Sequence, residues 1–170
     1  MAEPLGYHRT LFVETQAPRG RWMIPAFLPG IVLVGMTAWG IYTRGLPNRV
    51  AAFMMIGAGV ALPFVILSQR LVTVVTSHEL KVRYWFLRTR RINLADIVEA
   101  RAETYEPIRE FGGWGIKWSL RDRTTGYTIT GNRGVRLTTS RGEKLLIGSQ
   151  RADELLQAIE SGRATGTPRA

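Results

Sequence analysis

Two long stretches without a charged residue constrain this chain more than any other feature. They run from Met23 to Thr43 and from Val50 to Gln69. Each is as long as the roughly 20 residues that a helix needs to cross the hydrocarbon core of a bilayer. Only Arg44 to Arg49 separate them. A signal peptide has a shorter apolar region and a cleavage site of small residues, so neither stretch is typical of one. The pattern predicts a helical membrane hairpin over residues 23–69, with helices at about 23–43 and 50–69.

Two helices in the core of a water-soluble protein would show the same lack of charge. The rest of the chain, about 100 residues, is too short to surround two fully apolar helices on every side. In lipid each stretch must be helical, because unpaired backbone N–H and C=O groups are costly there. Gly57 and Ala61 place small residues on one face of the second helix, which predicts close helix contact at that face.

The distribution of arginine and lysine predicts the orientation in the membrane. Basic residues lie before the first helix and after the second, whereas the short loop holds Arg44 and Arg49 alone. Cytoplasmic flanks carry the excess of basic residues, so we expect a two-pass protein of the cytoplasmic (inner) membrane with both termini in the cytoplasm. The sequence has no cysteine, which excludes disulfides, thiolate metal sites and cysteine nucleophiles and fits a reducing compartment.

The pattern changes to short strands after Arg70. "LVTVVT" is rich in β-branched residues, which favour a strand, and apolar residues alternate in "ELKVRYWF", where Phe86 continues the apolar face. Ser77 and His78 fit the turn of a β-hairpin. Further short strands follow, and "SQRADELLQAIE" has the spacing of an amphipathic helix with Ser149 as its N-cap. We therefore predict a mainly β roll of seven or eight antiparallel strands, closed by a C-terminal helix, over residues 70–160. Residues 1–22 are expected to form a cytoplasmic segment and residues 161–170 a disordered tail.

The stretch "EFGGWGIKW", residues 110–118, has the glycine content of a phosphate-binding loop. It does not match G-x-G-x-x-G, and it precedes a strand pattern instead of a helix. The better interpretation is architectural: the glycines allow positive φ at the start of a bent strand, while Trp114 and Trp118 pack inside the roll.

Several of these segments together resemble a known class of protein. The helical hairpin, "YEPIREFGGWG", "GNRGVRLTT" and "LLIGSQRADELLQAI" resemble bacterial two-pass membrane proteins that carry a pleckstrin-homology-like domain. The resemblance implies a PH-like roll at the membrane and no particular reaction. Members of the wider superfamily bind phosphoinositides through basic residues in the loop of the first hairpin. Here Ser77, His78 and Glu79 occupy that turn, so the resemblance does not extend to this basic loop.

Candidate functional residues are few. Arg88, Arg90 and Arg91 are predicted to lie in a turn and to contact lipid headgroups, with an ordinary solvated turn as the alternative. Trp114 and Arg133 are the candidates for a partner surface, because tryptophan is enriched at interaction hot spots. The sequence predicts no catalytic residues, since no nucleophile, base and orienting group can be assembled by spacing. It also predicts no cofactor and no metal site, because the two histidines lie far apart in the sequence.

The net positive charge of the chain indicates which partners it could bind. The net charge is +10, and the part from Arg70 onward holds 18 basic and 11 acidic residues. A membrane-tethered basic domain gains from an anionic leaflet, and no nucleic-acid recognition motif accompanies the charge. We expect a non-enzymatic membrane protein whose PH-like domain is an interaction or assembly module. Its expected partners are membrane lipids, another membrane protein or a second copy of the chain, and not nucleic acid. The alternative is a lipid-sensing or lipid-binding protein.

Overall fold

The chain forms two compact units in a computed structural model that describes residues 9–19, 23–44, 49–119 and 121–166. The first unit is β-rich and combines residues up to Gln16 with those from Arg70 onward, and the second is helical and covers residues 17–69. The β-rich unit thus contains residues from both sides of the helical one. The predicted loop between the helices, residues 45–48, lies outside the described residues.

The helical unit consists of α1 (Met23–Arg44) and α2 (Arg49–Ser68). The two helices approach each other at Gly30 and Gly59. A Cβ atom on Gly30 would lie only 2.5 Å from the carbonyl oxygen of Gly59. The prediction that Gly57 forms the contact is wrong, since Gly57 has open space around it. Glycine is required at position 30 because any side chain there would collide with the backbone of the neighbouring helix.

Most large side chains of the two helices are apolar and exposed. Met36 and Trp39 on α1 and Phe53 and Phe64 on α2 are among them. Within the described residues, one helical stretch, Val50–Ser68, is long and apolar enough to cross a membrane, and the apolar stretch Phe27–Thr43 of α1 is shorter. The sequence predicts two spans, whereas the length and apolarity of the described residues support one.

The first sheet has four antiparallel strands in the order β1-β2-β3-β4. The prediction that the roll begins at residue 70 is wrong, because β1 precedes the helices and pairs with β2, with Gln16 opposite Leu71. Residues 1–8 and 20–22 of the predicted N-terminal segment lie outside the described residues. Phe12, Glu14 and Gln16 point from β1 into the interior. The strand is held by buried polar contacts as well as by packing: the side chain of Gln16 donates a 2.8 Å hydrogen bond to the carbonyl of Gly148. The four strands are β1 (Thr10–Gln16), β2 (Leu71–Thr76), β3 (Glu79–Tyr84) and β4 (Arg88–Asn93).

The second sheet has five strands in the order β5-β8-β9-β7-β6. Its strands are antiparallel except for β7 and β9, which run parallel, so the prediction of a fully antiparallel roll is wrong for this pair. A short 3-10 helix, Leu94–Asp96, joins the two sheets. The strands are β5 (Ile97–Thr104), β6 (Gly115–Trp118), β7 (Thr124–Thr128), β8 (Arg133–Thr139) and β9 (Lys144–Gly148).

The glycine-rich stretch follows a short helix, α3 (Pro107–Phe111). Gly112, Gly113 and Gly115 all have positive φ, between 69° and 122°. This conformation favours glycine, because it is strained for residues with a Cβ. The prediction of positive φ at these glycines, at the start of a strand, is confirmed.

The C-terminal helix, α4 (Ala152–Gly166), closes the roll, as the sequence predicts. Leu155 and Ile159 are fully buried in the core that both sheets share. The hydroxyl of Ser149 accepts a 3.0 Å hydrogen bond from the backbone N–H of Arg151, which satisfies one free donor of the first turn. The helix continues beyond residue 160, so the predicted disordered tail is wrong for residues 161–166, and residues 167–170 lie outside the described residues.

Candidate functional site

One arginine collects three carboxylates on the second sheet. Arg136 of β8 forms ion pairs with Glu103 of β5, with Glu110 of α3 at 3.1 Å and with Asp122 at 2.7 Å. Its side chain is only 13% exposed. Thr124 of β7 accepts a further hydrogen bond of 2.9 Å from the same guanidinium. The arginine therefore joins three strands, a helix and a turn.

The electrostatics of this network follow from its geometry. Burial alone would lower the pKa of Arg136, but the hydrogen bond to Glu103 and the charges of the three carboxylates raise it above its ordinary value. Burial would raise the pKa of Asp122, but hydrogen bonds from Ser119 and Thr124 and the charge of Arg136 lower it to about 2. The pKa of Asp122 is lowered and that of Arg136 is raised, so the geometry favours the charged form of both groups. Arg136 occupies the centre where the three carboxylates converge.

A polar cleft of about 520 Å³ lies beside this network. Four basic and four acidic side chains line it, so their formal charges cancel, and most of them are paired with one another. We call it the neutral cleft. Such a surface offers no excess charge to an ionic ligand. Its charged residues are Arg101, Glu103, Glu106, Arg109, Glu110, Arg121, Asp122 and Arg136.

A second cleft, of about 240 Å³, carries an excess of positive charge. Arg88 and Arg90 of β4, Arg123 before β7 and Lys144 at the start of β9 line it together with a single carboxylate, Glu143. Four basic groups and one acidic group give it a net formal charge of +3. Arg90 pairs with Glu143, whereas within the described part of the chain Arg88, Arg123 and Lys144 form no ion pair. We call this surface the basic cleft.

The arginine cluster predicted from the sequence is divided by the structure. The prediction that it lies in a turn is wrong, because Arg88, Arg90 and Arg91 all belong to strand β4. Arg88 and Arg90 reach the basic cleft, while Arg91 does not line it and lies in a neighbouring cleft with Asp96. Arg123 and Lys144 belong to the same cleft and come from distant segments, which no sequence spacing reveals.

The predicted partner residues lie near one turn. The indole N–H of Trp114 donates a 2.9 Å hydrogen bond to the carbonyl of Gly131. Arg133, two residues later, binds both carboxylate oxygens of Asp153 on α4, at 3.0 and 3.1 Å. Both side chains thus fasten this turn to its surroundings, and their role in partner binding stays a prediction.

An exposed tryptophan marks the edge of the second sheet. Trp118 was expected inside the roll with Trp114, but it is 56% exposed. It lies on β6, which pairs with β7 and is the last strand on that side of the described sheet. A strand edge with unpaired backbone groups and an exposed aromatic side chain is typical of surfaces that accept a partner strand.

A second exposed apolar feature is the turn between β3 and β4. The prediction that Phe86 continues the buried face is wrong, because the strand ends at Tyr84 and Phe86 is 75% exposed. The following residue, Leu87, is 61% exposed. Trp85 has a φ of 48° and packs against the core, so the alternation of the strand stops there. We call Trp85, Phe86 and Leu87 the apolar turn.

The chain matches no model of a known protein family and none of the curated proteins. The resemblance to PH-like membrane proteins therefore rests on the quoted segments alone. Among the described residues, no group of three or more histidine, aspartate or glutamate side chains is arranged to hold a metal ion. The basic cleft, the apolar turn and the β6 edge are the surfaces from which a function can be argued.

Proposed function

We propose that this chain is a two-pass protein of the cytoplasmic membrane whose β-roll, of the pleckstrin-homology-like kind, is an interaction or assembly module at the membrane surface. Both termini lie in the cytoplasm, and the protein catalyses no reaction of its own. The helical unit is its anchor. Its partners are membrane lipids together with another membrane protein or a second copy of the chain.

The observation that carries this proposal is the pairing of Gln16 with Leu71. The chain leaves the first sheet at the end of β1 and rejoins it at the start of β2, directly opposite. A segment whose two ends return to one point of one sheet crosses a membrane an even number of times. Two helices of 22 and 20 residues between these ends fit two crossings.

The surface of the helical unit supports the membrane assignment. A core helix of a water-soluble protein buries its apolar side chains. In the apolar stretch of α2, Val50–Ser68, only 11% of the residues are buried. Exposed apolar patches of this extent are typical of membrane or protein contacts. The proposed bilayer would cover these side chains.

Cysteine accessibility tests the location and topology directly, since the chain has no cysteine of its own. Asn48→Cys lies between the two apolar stretches, and Gln157→Cys lies on the exposed face of α4. A membrane-impermeant maleimide should label position 48 in intact cells and position 157 only in inverted membrane vesicles. Labelling of both positions from the same side, or release of the protein by carbonate, would refute the proposal.

The β6 edge is the partner surface that the geometry favours. A photo-crosslinker at the exposed Lys117 should capture a second copy of the chain or one defined membrane protein, and Trp118→Ala should reduce that product. The same crosslinker at Gln157 serves as the control. A crosslinked product that forms equally well in Trp118→Ala would contradict partner binding at the β6 edge. A product that also forms equally well when Trp114 and Arg133 are replaced together would contradict a role of these two residues in partner binding.

Lipid binding is the second candidate function, and the basic cleft favours it. Three cationic groups without an ion pair among the described residues can bind phosphate oxygens at low cost, because no existing partner must be displaced. Native mass spectrometry of the purified protein separates the candidates: a retained lipid supports lipid binding, and a retained polypeptide supports assembly.

A further inference from the structure

The apolar turn lies at one particular end of the first sheet. Gln16, the last residue of β1, is opposite Leu71, and Leu71 is opposite Tyr84, the residue before the turn. The backbone N–H of Trp85 donates a 2.6 Å hydrogen bond to the carbonyl of Arg70. The turn therefore shares its end of the sheet with the two points at which the chain passes into and out of the helical unit.

The chain re-enters this end of the sheet directly after the apolar helix. Helix α2 ends at Ser68, and Arg70 follows two residues later in the sequence. Because the N–H of Trp85 is bonded to Arg70, the apolar turn is tied to the first residue of the β-rich unit after α2. With α2 in a bilayer, as proposed above, only Gln69 separates the apolar helix from the residue that holds the turn.

The turn is a fixed feature and not a loose loop. Trp85 packs against the hydrophobic core, and its ring centroid lies 3.9 Å from that of Phe86. With Trp85 held in place, Phe86 and Leu87 are presented to the outside. Burying two large apolar side chains is favourable and leaving them in water is not, so this tip fits an apolar medium.

Basic residues flank the apolar turn in the sequence. Arg83 precedes the turn and is exposed, and Arg88 follows it and lines the basic cleft with Arg123 and Lys144. An apolar tip flanked by arginine and lysine fits a bilayer interface, where apolar groups reach the acyl chains and cations bind phosphates. The neutral cleft, with its balanced charges, lacks this property.

Backbone strain points to the same place. Among the described residues, two non-glycine residues have positive φ: Trp85 at 48° and Arg123 at 59°. One belongs to the apolar turn and the other lines the basic cleft. Strained backbone conformations concentrate at functional sites such as ligand-binding sites.

We infer that the apolar turn and the basic cleft form one binding site for an anionic phospholipid. Phe86 and Leu87 enter the boundary between headgroups and acyl chains, while Arg88, Arg123 and Lys144 bind the phosphate oxygens. The inference rests on the proposed membrane location and adds to it the ligand class and the residues. It also makes the roll sensitive to the lipid composition of its own leaflet.

Fluorescence quenching in proteoliposomes tests this inference on the full chain. Leu87→Cys carries an environment-sensitive fluorophore, and the vesicles contain phosphatidylcholine with brominated acyl chains, either alone or mixed with phosphatidylglycerol. We expect strong quenching at position 87 in the anionic vesicles, weaker quenching in the zwitterionic ones, and none for the same label at Gln157→Cys. Equal quenching in both lipid mixtures would overturn the assignment of an anionic headgroup.

Two triple variants with the same loss of charge sharpen the test. Replacing Arg88, Arg123 and Lys144 by Gln should lower the ratio of inserted to released turn about fivefold per neutralised side chain in anionic vesicles. Replacing Arg101, Arg109 and Arg121 of the neutral cleft by Gln should leave that ratio unchanged. Equal losses in both variants would show a general effect of net charge and would overturn the site.

Flotation of the same vesicles separates this inference from the proposed function. If the chain does not float with the vesicles, the membrane location itself is wrong. If it floats and the label at position 87 remains in water in both lipid mixtures, the membrane location stands and the lipid site alone is refuted. The single variant Leu87→Cys, without the triple substitutions, is sufficient for this comparison even if a triple variant fails to fold.

Discussion

The carboxylate of Glu14 accepts a 2.5 Å hydrogen bond from the hydroxyl of Ser149, across 135 residues of sequence. The same carboxylate accepts a 3.0 Å hydrogen bond from the backbone N–H of Gln150. These bonds fasten β1, which precedes the helical unit, to the start of α4 at the far end of the chain. A negative charge at this position also favours the N-terminus of the helix through its dipole.

Glu14→Ala should destabilise the β-rich unit by about 1–3 kcal/mol, because it leaves a buried hydroxyl and a backbone N–H without their acceptor. Urea unfolding of the full chain in detergent, followed by tryptophan fluorescence, measures the change. Thr15→Ala is the matched control, since Thr15 lies on the exposed face of the same strand. Equal losses for both variants would contradict a specific role of Glu14.

The helix contact at Gly30 gives a prediction for the helical unit. Gly30→Leu should destabilise the packing of α1 on α2 by about 1–3 kcal/mol, because the new side chain collides with the carbonyl of Gly59. Unfolding in sodium dodecyl sulfate, followed by far-ultraviolet circular dichroism, measures it. Gly35→Leu should have little effect, since that glycine has open space around it. A larger loss at position 35 would argue against the described contact.

Arg136→Met should destabilise the β-rich unit by about 1–3 kcal/mol. The change leaves Glu110 and Asp122 without a cation, and Glu103 keeps only its ion pair with the exposed Arg101. The partial exposure of the carboxylates keeps the cost below that of a fully buried pair. Arg109→Met is the control: its ion pair with Glu106 is exposed, so we expect a change of less than about 0.5 kcal/mol. Urea titration gives the free energy of unfolding of both variants. Equal losses for the two would contradict a special role of Arg136 in holding the sheet together.

The lowered pKa of Asp122 predicts how stability responds to acid. The carboxyl has a pKa of about 2 in the folded chain and an ordinary value of 3.8. Its ionised form therefore contributes stability that is complete above about pH 4 and is lost as the pH falls toward 2. Asp122→Asn should remove part of the slope of unfolding free energy in this window. An unchanged slope between pH 4 and 2 would show that the fold does not stabilise the ionised form of Asp122.

The sequence predicts the regular parts of the roll and misses the parts that depend on distant contacts. The alternation of Leu80 and Val82 identifies β3 correctly, because an apolar face buried on a core leaves a period-two pattern. Strand β1 escapes this argument. Two of its inward residues, Glu14 and Gln16, are polar and buried only because Ser149 and Gly148 bind them.

The candidate site shows the same limit. Arg88 and Arg90 can be found as a charge cluster, but the two other cations of the basic cleft come from the turn before β7 and from the start of β9. Phe86 continues the apolar alternation in the sequence, and its exposure follows from the positive φ of Trp85. The local sequence cannot show where a strand ends when the residue at its end, here Trp85, is of a type that strands favour.

The position of β1 determines the order in which the protein can be completed. Its strand is synthesised before both helices, whereas its partners, β2 and Ser149, are synthesised after them. During translation β1 therefore has no β2 to pair with until the whole helical segment has been synthesised. A helix pair that did not fold back would leave the edge of β2 bare, and a bare strand edge promotes aggregation. The roll can therefore close only after the helical segment has folded back and returned the chain to β1.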